Sequence, residues 1–357
     1  MDERVDPLGP PPALATAGTA ANARLAAFLS SEIDRWSGPM PDVADAVRSL
    51  QDLIGAGGKR LRPAFCFWAY VGAGGAPDDR IIADTGAALE LLHTMALVHD
   101  DVMDGSDRRR GVPTVHRTFI ERHATGGWQG DGRRFGEGAA ILVGDFAFVY
   151  SDMLMADAEP RARAVFDELR VELCVGQFLD LVGTASRQRD PGLAQTIERY
   201  KSGKYTVERP LHLGAALAGR LEELEQPLSA VGIPLGEAFQ MRDDLLGIFG
   251  DESVTGKPVG DDLRQGKLTP LIAAADASID GKVDRALFER IGADDLSQQE
   301  LAALRELLVA CGAVDEVEDQ IRSRVAQCLA ALDAVALTAE AREALGALAS
   351  YAAWRDR

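Results

Sequence analysis

The feature that most constrains this chain is a long apolar run that ends in a cluster of acids. The run from Leu89 to Val98 contains neither Pro nor Gly, and the sequence DDVMD follows at residues 100–104. Asp100 and Asp104 are four residues apart, so on a helix their carboxylates project from the same face. Like charges at this spacing repel each other unless a cation lies between them. Oxygen ligands from one or two carboxylates, completed by water and phosphate, are typical of Mg²⁺ rather than of zinc.

A second acid pair, Asp243-Asp244, ends another largely apolar run that begins at Leu235. Acidic helix ends are often simply solvated, and that alternative stands for either pair considered alone. Two acid pairs that both emerge from apolar helices instead favour a bundle whose acids point inward and hold metal. A calcium-binding EF-hand loop is excluded, because the twelfth position counted from Asp100 is Gly111 and not a bidentate Glu.

Composition and periodicity both predict an all-α chain. Apolar residues make up 46% of the sequence and aromatic residues only 6%, and Ala and Leu are abundant, which favours helices over sheets. From Asn22 onward apolar residues recur at intervals of three and four, and strictly alternating runs are scarce. The predicted helices are approximately 22–36, 41–54, 61–72, 80–104, 114–124, 137–157, 161–185, 191–204, 208–219, 228–248, 265–277, 283–292, 297–312, 315–333 and 338–354.

The expected organisation is one large helical domain, residues 21–357, behind a disordered tail of residues 1–20 that includes three consecutive prolines. The Gly-rich stretch 124–138 is expected to be a mobile surface loop. The net charge of −18 argues against nucleic acid as a partner, because binding it requires a basic face.

The cysteines, the N-terminus and the hydropathy pattern predict a cytoplasmic protein. Cys66, Cys174, Cys311 and Cys328 show no close spacing and lie in apolar helical surroundings, so we expect buried thiols in a reducing compartment and no zinc site. The first residues lack the apolar core of a signal peptide. No stretch reaches about 18 uninterrupted apolar residues, so a membrane-spanning helix is not expected.

Basic residues beside glycines supply the counter-charges for an anionic substrate. The sequence GGKRLRP at residues 57–63 places three cations after a flexible Gly pair and before a helix, with an ordinary solvated turn as the alternative. Lys201, Lys204, Lys257 and Lys267 also lie near glycines, and each singly would be a surface residue. Together with the acid pairs they predict a cavity that binds Mg²⁺ and phosphate oxygens and makes diphosphate a leaving group. The sequence contains no P-loop and no nucleophile elbow.

Several ordered motifs resemble the trans-isoprenyl diphosphate synthases, also called polyprenyl synthetases, and within them the geranylgeranyl and farnesyl diphosphate synthases. The similarity covers roughly residues 50–275. It implies an all-α bundle of the isoprenoid synthase type with a central active-site cavity, usually as a homodimer. The motifs are GGKRLRP at 57–63, ELLH at 90–93, DDVMD at 100–104, RRG at 109–111, GQFLDL at 176–181, KS at 201–202 and QMRDD at 240–244.

The resemblance implies a metal site and a set of catalytic residues. About three Mg²⁺ ions per active site would bind to Asp100 and Asp104, with Asp101 in support, and to Asp243 and Asp244. The residues expected to carry catalysis are Asp100, Asp104, Arg109, Lys201 and Asp243.

The resemblance also implies two diphosphate sites. From position alone, one of their candidate residues, His93, could equally be a buried structural imidazole. The allylic diphosphate would bind to Arg109, Lys201, Gln240 and Lys257, with Lys267 as a further cation. Isopentenyl diphosphate would bind to Lys59, Arg62, His93 and Arg110, and the cavity between the two would be lined by Gln177, Asp180 and Ser202.

The implied reaction is prenyl transfer. The allylic diphosphate ionises, the double bond of isopentenyl diphosphate attacks the cation, and the proton lost passes to the released diphosphate, so no protein base is required. A class I terpene cyclase is an alternative, but it has no need of a second diphosphate site. A catalytically silent subunit of a heteromeric synthase is another, but it would be expected to have lost acids from the first motif, and all three remain.

Two further expectations concern metal binding and product length. The second acid motif reads DDLLG, with Gly247 where the fullest family pattern has a third Asp, so altered metal affinity is expected rather than lost activity. The product should grow back along the helix face of Ala96, Met95 and Leu92. Bulky aromatics at the first two positions resemble a stop at fifteen carbons, whereas small Ala96 and flexible Met95 favour C20 geranylgeranyl diphosphate, with farnesyl diphosphate as the alternative.

Overall fold

Helices form nearly all of the regular structure, as predicted. The computed structural model describes residues 9–186, 190–250, 260–279, 281–293 and 295–355. Within them the exception to helix is an antiparallel pair of two-residue strands, β1 (Arg108–Arg109) and β2 (Val112–Pro113). The α-helices are α1 (Pro12–Ser37), α2 (Pro41–Gly55), α3 (Leu61–Gly72), α4 (Arg80–Asp104), α5 (Val115–Thr125), α6 (Gly132–Leu154), α7 (Pro160–Ser186), α8 (Pro191–Glu198), α9 (Arg209–Leu217), α10 (Leu221–Phe249), α11 (Asp261–Gln265), α12 (Pro270–Ser278), α13 (Lys282–Phe288), α14 (Gln298–Ala310), α15 (Ala313–Asp333) and α16 (Ala339–Trp354).

Helix α4 is the central element of the bundle. It packs along α6 and also against α1 and α3, and its buried residues lie on every side of the helix. A helix that is apolar all round belongs in a protein core or a membrane. By length and composition α4 could cross a membrane, but 72% of its most apolar part is buried inside the protein. It ends at Gly105, whose positive φ of 65° stops the helix directly after the acids.

A π-helical segment, Arg199–Glu208, joins α8 to α9 without a break. The sequence had predicted two helices, 191–204 and 208–219, with a gap between them. The segment lies between α7 and α10, where two glycines permit close approach. A Cβ on Gly176 would collide with the backbone of Lys201, and a Cβ on Gly236 would collide with the backbone of Gly203. The backbone that carries Lys201 is therefore clamped from both sides.

The disordered tail and the mobile loop that the sequence predicted are both shorter than expected. Helix α1 begins at Pro12 with Leu14 and Ala17 already buried, so nine residues of the predicted tail, 12–20, are helical. Proline is well suited to the first position of a helix, where its missing N–H is not needed. In the Gly-rich stretch only residues 126–131 lie between helices, because Asp131 caps α6 by accepting hydrogen bonds from two backbone N–H groups.

Two other helix boundaries differ from the predicted ones, and two of the thiols are not fully buried. Helix α10 begins at Leu221 rather than near 228 and continues through Pro227 and Pro234. The predicted helix 265–277 is interrupted between α11 and α12. Of the four free cysteines, Cys66 and Cys328 are buried as predicted, whereas Cys311 is only partly buried and Cys174 is exposed.

The close contact between Gly236 and Gly203 gives a testable prediction. Gly236→Ala should destabilise the protein by ~1–3 kcal/mol, because the added methyl group overpacks the contact between α10 and the π-helical segment. Gly138→Ala is the matched control, since Gly138 is an exposed glycine in α6 with nothing within 4 Å of the point where a methyl group would lie, and it should be neutral or slightly stabilising. Thermal and urea denaturation of both variants would measure this. Equal stability of the two variants would contradict the close contact.

Candidate active site

The last turn of α4 brings its acids against partly buried lysines from distant parts of the chain. Asp100 accepts hydrogen bonds from Lys201 Nζ at 3.2 Å and from Gln177 Nε2 at 3.3 Å. Asp104 accepts from Lys267 Nζ at 2.7 Å. The two carboxylates that the sequence places on one helix face are thus each paired with a lysine, which offsets their mutual repulsion.

Arg109 binds the same helix end through the β1–β2 hairpin. The turn of this hairpin is Arg110-Gly111, whose φ values of 53° and 77° both lie in the left-handed region. The turn brings Arg109 back over α4, where Nε donates to Asp101 Oδ1 at 2.8 Å and Nη2 donates to Asp100 Oδ2 at 3.0 Å. Burial alone would lower the pKa of Arg109, but Asp101 and Asp100 raise it above its usual range. In this structure Asp101 holds Arg109 in place.

The two lysines stay charged although they are largely enclosed. Burial alone would lower the pKa of Lys201, but Asp100 and Asp180 raise it, and Asp180 Oδ2 lies 2.6 Å from its Nζ. Burial likewise opposes the charge of Lys267, yet Asp104 and Asp262 raise its pKa. Protonated lysines fixed beside carboxylates can also bind the oxygens of a diphosphate.

The second acid motif lies on α10 and is held by groups from elsewhere. Asp243 forms an ion pair with the fully buried guanidinium of Arg355, which stacks over the ring of Phe239 at 4.3 Å. Asp244 is 7% exposed and accepts a hydrogen bond from Gln240 Nε2 at 2.7 Å. Burial, followed by the charge of Asp262, raises the pKa of Asp244 to about 7. Gln240, predicted to contact substrate, here supports Asp244.

A second cationic cluster surrounds Tyr205. Arg62 Nη2 donates to the Tyr205 hydroxyl at 2.5 Å, and its guanidinium lies 4.1 Å from the Tyr205 ring centre. The same hydroxyl lies 3.1 Å from Nδ1 of His93. Burial, then Arg62 and Arg110, hold the pKa of His93 well below its usual range. The structure therefore brings together three of the four residues predicted to bind isopentenyl diphosphate.

The remaining predicted residues lie in different settings. Lys59 lines a cavity of about 460 Å³ together with Arg60 and the first turns of α1. Ser202 is partly buried in the π-helical segment, and Lys257 lies outside the described residues. Among the predicted product-length residues, Leu92 and Met95 are buried in the main hydrophobic core and Ala96 packs against it.

The acids fit Mg²⁺ that is bound jointly with a diphosphate. Across the described ranges no three His, Cys, Asp or Glu side chains converge into a ready-made metal cage. Mg²⁺ usually binds to one or two carboxylates and completes its octahedron with water and substrate phosphates. Asp100, Asp104 and Asp243 offer hard oxygens of this kind, and Asp244 adds a buried carboxylate that lies beside the carboxyl of Glu198. The donor set therefore suits this ion.

An all-α bundle in which two aspartate pairs face buried lysines and arginines defines the isoprenoid synthase class of enzymes. Within that class the chain belongs to the polyprenyl synthetase family, whose model matches residues 45–308. The protein is accordingly a prenyltransferase, an isoprenyl diphosphate synthase of the trans type, in a Mg²⁺-dependent family.

Individual relatives are similar over most of their length. A geranylgeranyl pyrophosphate synthase from Corynebacterium glutamicum, solved with isoprenyl diphosphate and magnesium, is 35% identical, with a TM-score of 0.90 over 96% of this chain and 99% of that one. A geranylfarnesyl diphosphate synthase from Aeropyrum pernix is 33% identical over 91% of this chain and 95% of its own. A nonaprenyl diphosphate synthase from Mycobacterium tuberculosis is 30% identical over 94% and 93%. The family, the fold and prenyl transfer are confirmed, while the relatives differ in product length.

Three residues at the site carry no signal in the sequence. Tyr205 and Arg355 belong to no motif that the sequence displays, and Asp262 lies in a segment whose only predicted functional residues were Lys257 and Lys267. Tyr205 and Arg355 act through contacts with residues far away along the chain: Tyr205 is 143 positions from Arg62, and Arg355 is 112 positions from Asp243.

The depressed pKa of His93 predicts how stability varies with pH. The unfolded chain binds a proton at His93 near the usual pKa of 6.5, whereas the folded chain does not, so the free energy of unfolding should fall as the pH drops below that value. His93→Gln removes this titration. Urea denaturation at about pH 8 and about pH 5.5 should show a smaller loss of stability in the variant than in the wild type. An equal loss in both would contradict the pKa shift.

Proposed function

We propose that the protein condenses an allylic diphosphate with isopentenyl diphosphate in the presence of Mg²⁺, about three ions per site, and releases mainly geranylgeranyl diphosphate. The observation that carries the proposal is the pairing of the first acid motif with Lys201, Lys267 and Arg109. The carboxylates that would bind metal are hydrogen-bonded to the cations that would bind phosphate. This arrangement suits a reaction in which diphosphate departs with its electron pair.

The chain's own residues would stabilise the departing diphosphate. Bound Mg²⁺ would neutralise much of the charge that develops as the C–O bond breaks. Lys201 and Lys267 are enclosed and fixed by acids, so they need little reorganisation to donate to phosphate oxygens. Asp180 accepts a hydrogen bond from Lys201 and would orient it towards the leaving group, while Gln177 donates to the same oxygen of Asp100 as Lys201 does.

The second diphosphate would bind at the cluster around Tyr205. Arg62 and Arg110 supply positive charge, and His93 is held neutral, so it can donate a hydrogen bond without adding to their repulsion. Lys59 would approach from the side of α1. This second site argues against a class I terpene cyclase, which ionises a single diphosphate, and the retained acids of the first motif argue against a silent subunit.

The first acid motif gives a direct test. Asp100→Asn and Asp104→Asn should each lower turnover by about 10²–10³, because each removes a preorganised charge from a site of low dielectric constant. Turnover would be measured with farnesyl or dimethylallyl diphosphate plus isopentenyl diphosphate and Mg²⁺. Asp34→Asn, an exposed acid on α1, is the control and should retain wild-type activity. Near-normal rates in both site variants would refute the metal assignment.

The proposed C20 product rests on the helix face behind the first acids. The diphosphate end of the product is fixed, so the chain grows back along α4 past Ala96, Met95 and Leu92. Each turn of open helix face adds about 5.4 Å, comparable to one isoprene unit. Small Ala96 and flexible Met95 would leave room beyond fifteen carbons. Farnesyl diphosphate or a longer chain remains the alternative, because relatives of similar identity bear the names of products from geranylgeranyl to nonaprenyl diphosphate.

Met95→Phe should shorten the product, because a rigid ring replaces a flexible thioether on the growing path. Chromatography of the dephosphorylated products would compare wild type and variant. Met40→Phe makes the same change at an exposed methionine directly before α2 and should leave the distribution of product lengths unaltered. An identical product distribution in Met95→Phe would remove this residue from the proposal.

We also propose a cytoplasmic homodimer. Helices α6 and α7 expose a row of large apolar side chains, including Leu142 at 61% and Phe178 at 67% exposure. Large apolar side chains that are exposed in such number on two helices favour an interface. The row repeats at helical spacing in both elements: Phe135, Ile141, Leu142, Val149 and Met153 in α6, and Val171, Val175, Phe178, Leu181 and Val182 in α7.

The proposed dimer can be tested by placing a charged residue within the exposed apolar row. Leu142→Glu and Phe178→Glu should each weaken self-association at least about tenfold, because a carboxylate would have to be buried in an apolar interface. Light scattering coupled to size-exclusion chromatography would report the mass. Val283→Glu replaces an 82% exposed valine on α13 and should leave the mass unchanged. A wild-type protein that is monomeric at all concentrations would overturn the proposal.

A further inference from the structure

The π-helical segment, α7 and α9 enclose a group of buried charges that the proposed reaction does not use. Glu172 on α7 is 6% exposed, and Glu208 at the end of the π-helical segment is 3% exposed. Nζ of Lys204 lies 3.0 Å from Glu172 Oε1 and 2.9 Å from Glu208 Oε2. Lys204, which the sequence alone would place on the surface, has a side chain that is only 13% exposed. Its ammonium group therefore joins the π-helical segment to α7.

Each of the two carboxylates has a second donor. Arg209, the first residue of α9, donates to both oxygens of Glu172, from Nε at 2.6 Å and from Nη2 at 2.7 Å. Ser229 of α10 donates to Glu208 Oε1 at 2.7 Å. Burial alone would lower the pKa of Lys204, but its hydrogen bonds to Glu208 and Glu172 raise it. A buried polar network whose members are all paired favours one arrangement of the elements that carry it.

The π-helical segment needs support of this kind. Most π-helices are single turns within an α-helix, whereas this one extends over ten residues, Arg199–Glu208. The glycine contacts with α7 and α10 bring backbones together, but they do not fix the rotation of the segment about its own axis. Lys204 follows Lys201 by three residues and directly precedes Tyr205. An anchor at this position fixes the directions in which both of those side chains project.

We infer that Lys204 is a positioning residue, whose ion pairs with Glu172 and Glu208 hold the π-helical segment in the rotation that aims Lys201 at the acids of the active site. The inference rests on the proposed function, in which Lys201 binds the departing diphosphate. The role of Lys204 is indirect, because it acts through Lys201 and not on the substrate.

The test measures the binding of diphosphate rather than turnover. Purified full-length protein is titrated with inorganic diphosphate in the presence of Mg²⁺, and the heat of binding is followed by calorimetry. Lys204→Met removes the charge and keeps most of the side-chain length. It should weaken diphosphate binding about tenfold, as the loss of a group that orients a ligating residue commonly does. Lys204→Arg keeps the charge and should bind diphosphate within about threefold of the wild type.

A double variant distinguishes an indirect role from a direct one. Lys201→Met should itself weaken diphosphate binding, because it removes a phosphate donor. If Lys204 acts through Lys201, adding Lys204→Met to that variant should weaken binding further by less than about twofold, because the side chain to be aimed is absent. Full multiplication of the two effects in the double variant would overturn the inference. Unchanged binding in Lys204→Met would overturn it as well.

A control at Arg170 separates positioning from stability. Arg170 also lies on α7 and its side chain is 16% exposed, but it donates to Asp152 of α6 at 3.1 Å. Arg170→Met should lower the thermal stability and leave diphosphate affinity unchanged, and a loss of affinity equal to that of Lys204→Met would contradict the inference. Thermal denaturation identifies variants that do not fold, and Lys204→Gln replaces Lys204→Met in that case. A wild-type protein that binds diphosphate but transfers no prenyl group would refute the proposed function and not the positioning role.

Discussion

The repulsion between Asp100 and Asp104 is the constraint on which the rest of the site depends. Two carboxylates one turn apart at the end of a core helix need positive charge, and the protein supplies it from three directions. Lys201 comes from the π-helical segment, Lys267 follows α11, and Arg109 lies on β1 directly before a two-residue turn with positive φ values. Each of these elements places one cation at the end of α4.

The π-helical segment contributes one residue to each of the two cationic clusters: Lys201 to the cluster at the end of α4, and Tyr205 to the cluster of Arg62 and His93. Lys201 faces the acids of α4, whereas Tyr205 contacts Arg62 and His93. A rigid π-helical segment between them fixes the spacing of the two clusters, which in the proposed reaction sets the distance between two diphosphates. The glycines at 176 and 236 matter for the same reason, since they allow both neighbouring helices to contact that backbone.

The sequence predicted those structural elements that are determined by residues close together in the chain. The apolar run before Asp100 and the four-residue spacing to Asp104 predicted both α4 and its acid face, and the basic clusters beside glycines predicted most of the cations. The sequence did not predict the start of α1 at Pro12, because consecutive prolines are typical of disordered tails as well as of a helix N-terminus. It did not predict the π-helical segment, because the cause of that segment is the packing of Gly176 and Gly236 against it.

The ion pair between Asp243 and Arg355 also bears on the order in which the site assembles. The two residues are 112 positions apart, so Asp243 acquires its counter-charge only when the helix α16 that precedes Arg355 has docked against α10. During synthesis on the ribosome the acids of α10 would emerge well before that cation. The neutralisation of Asp243 is therefore coupled to the docking of α16 against α10.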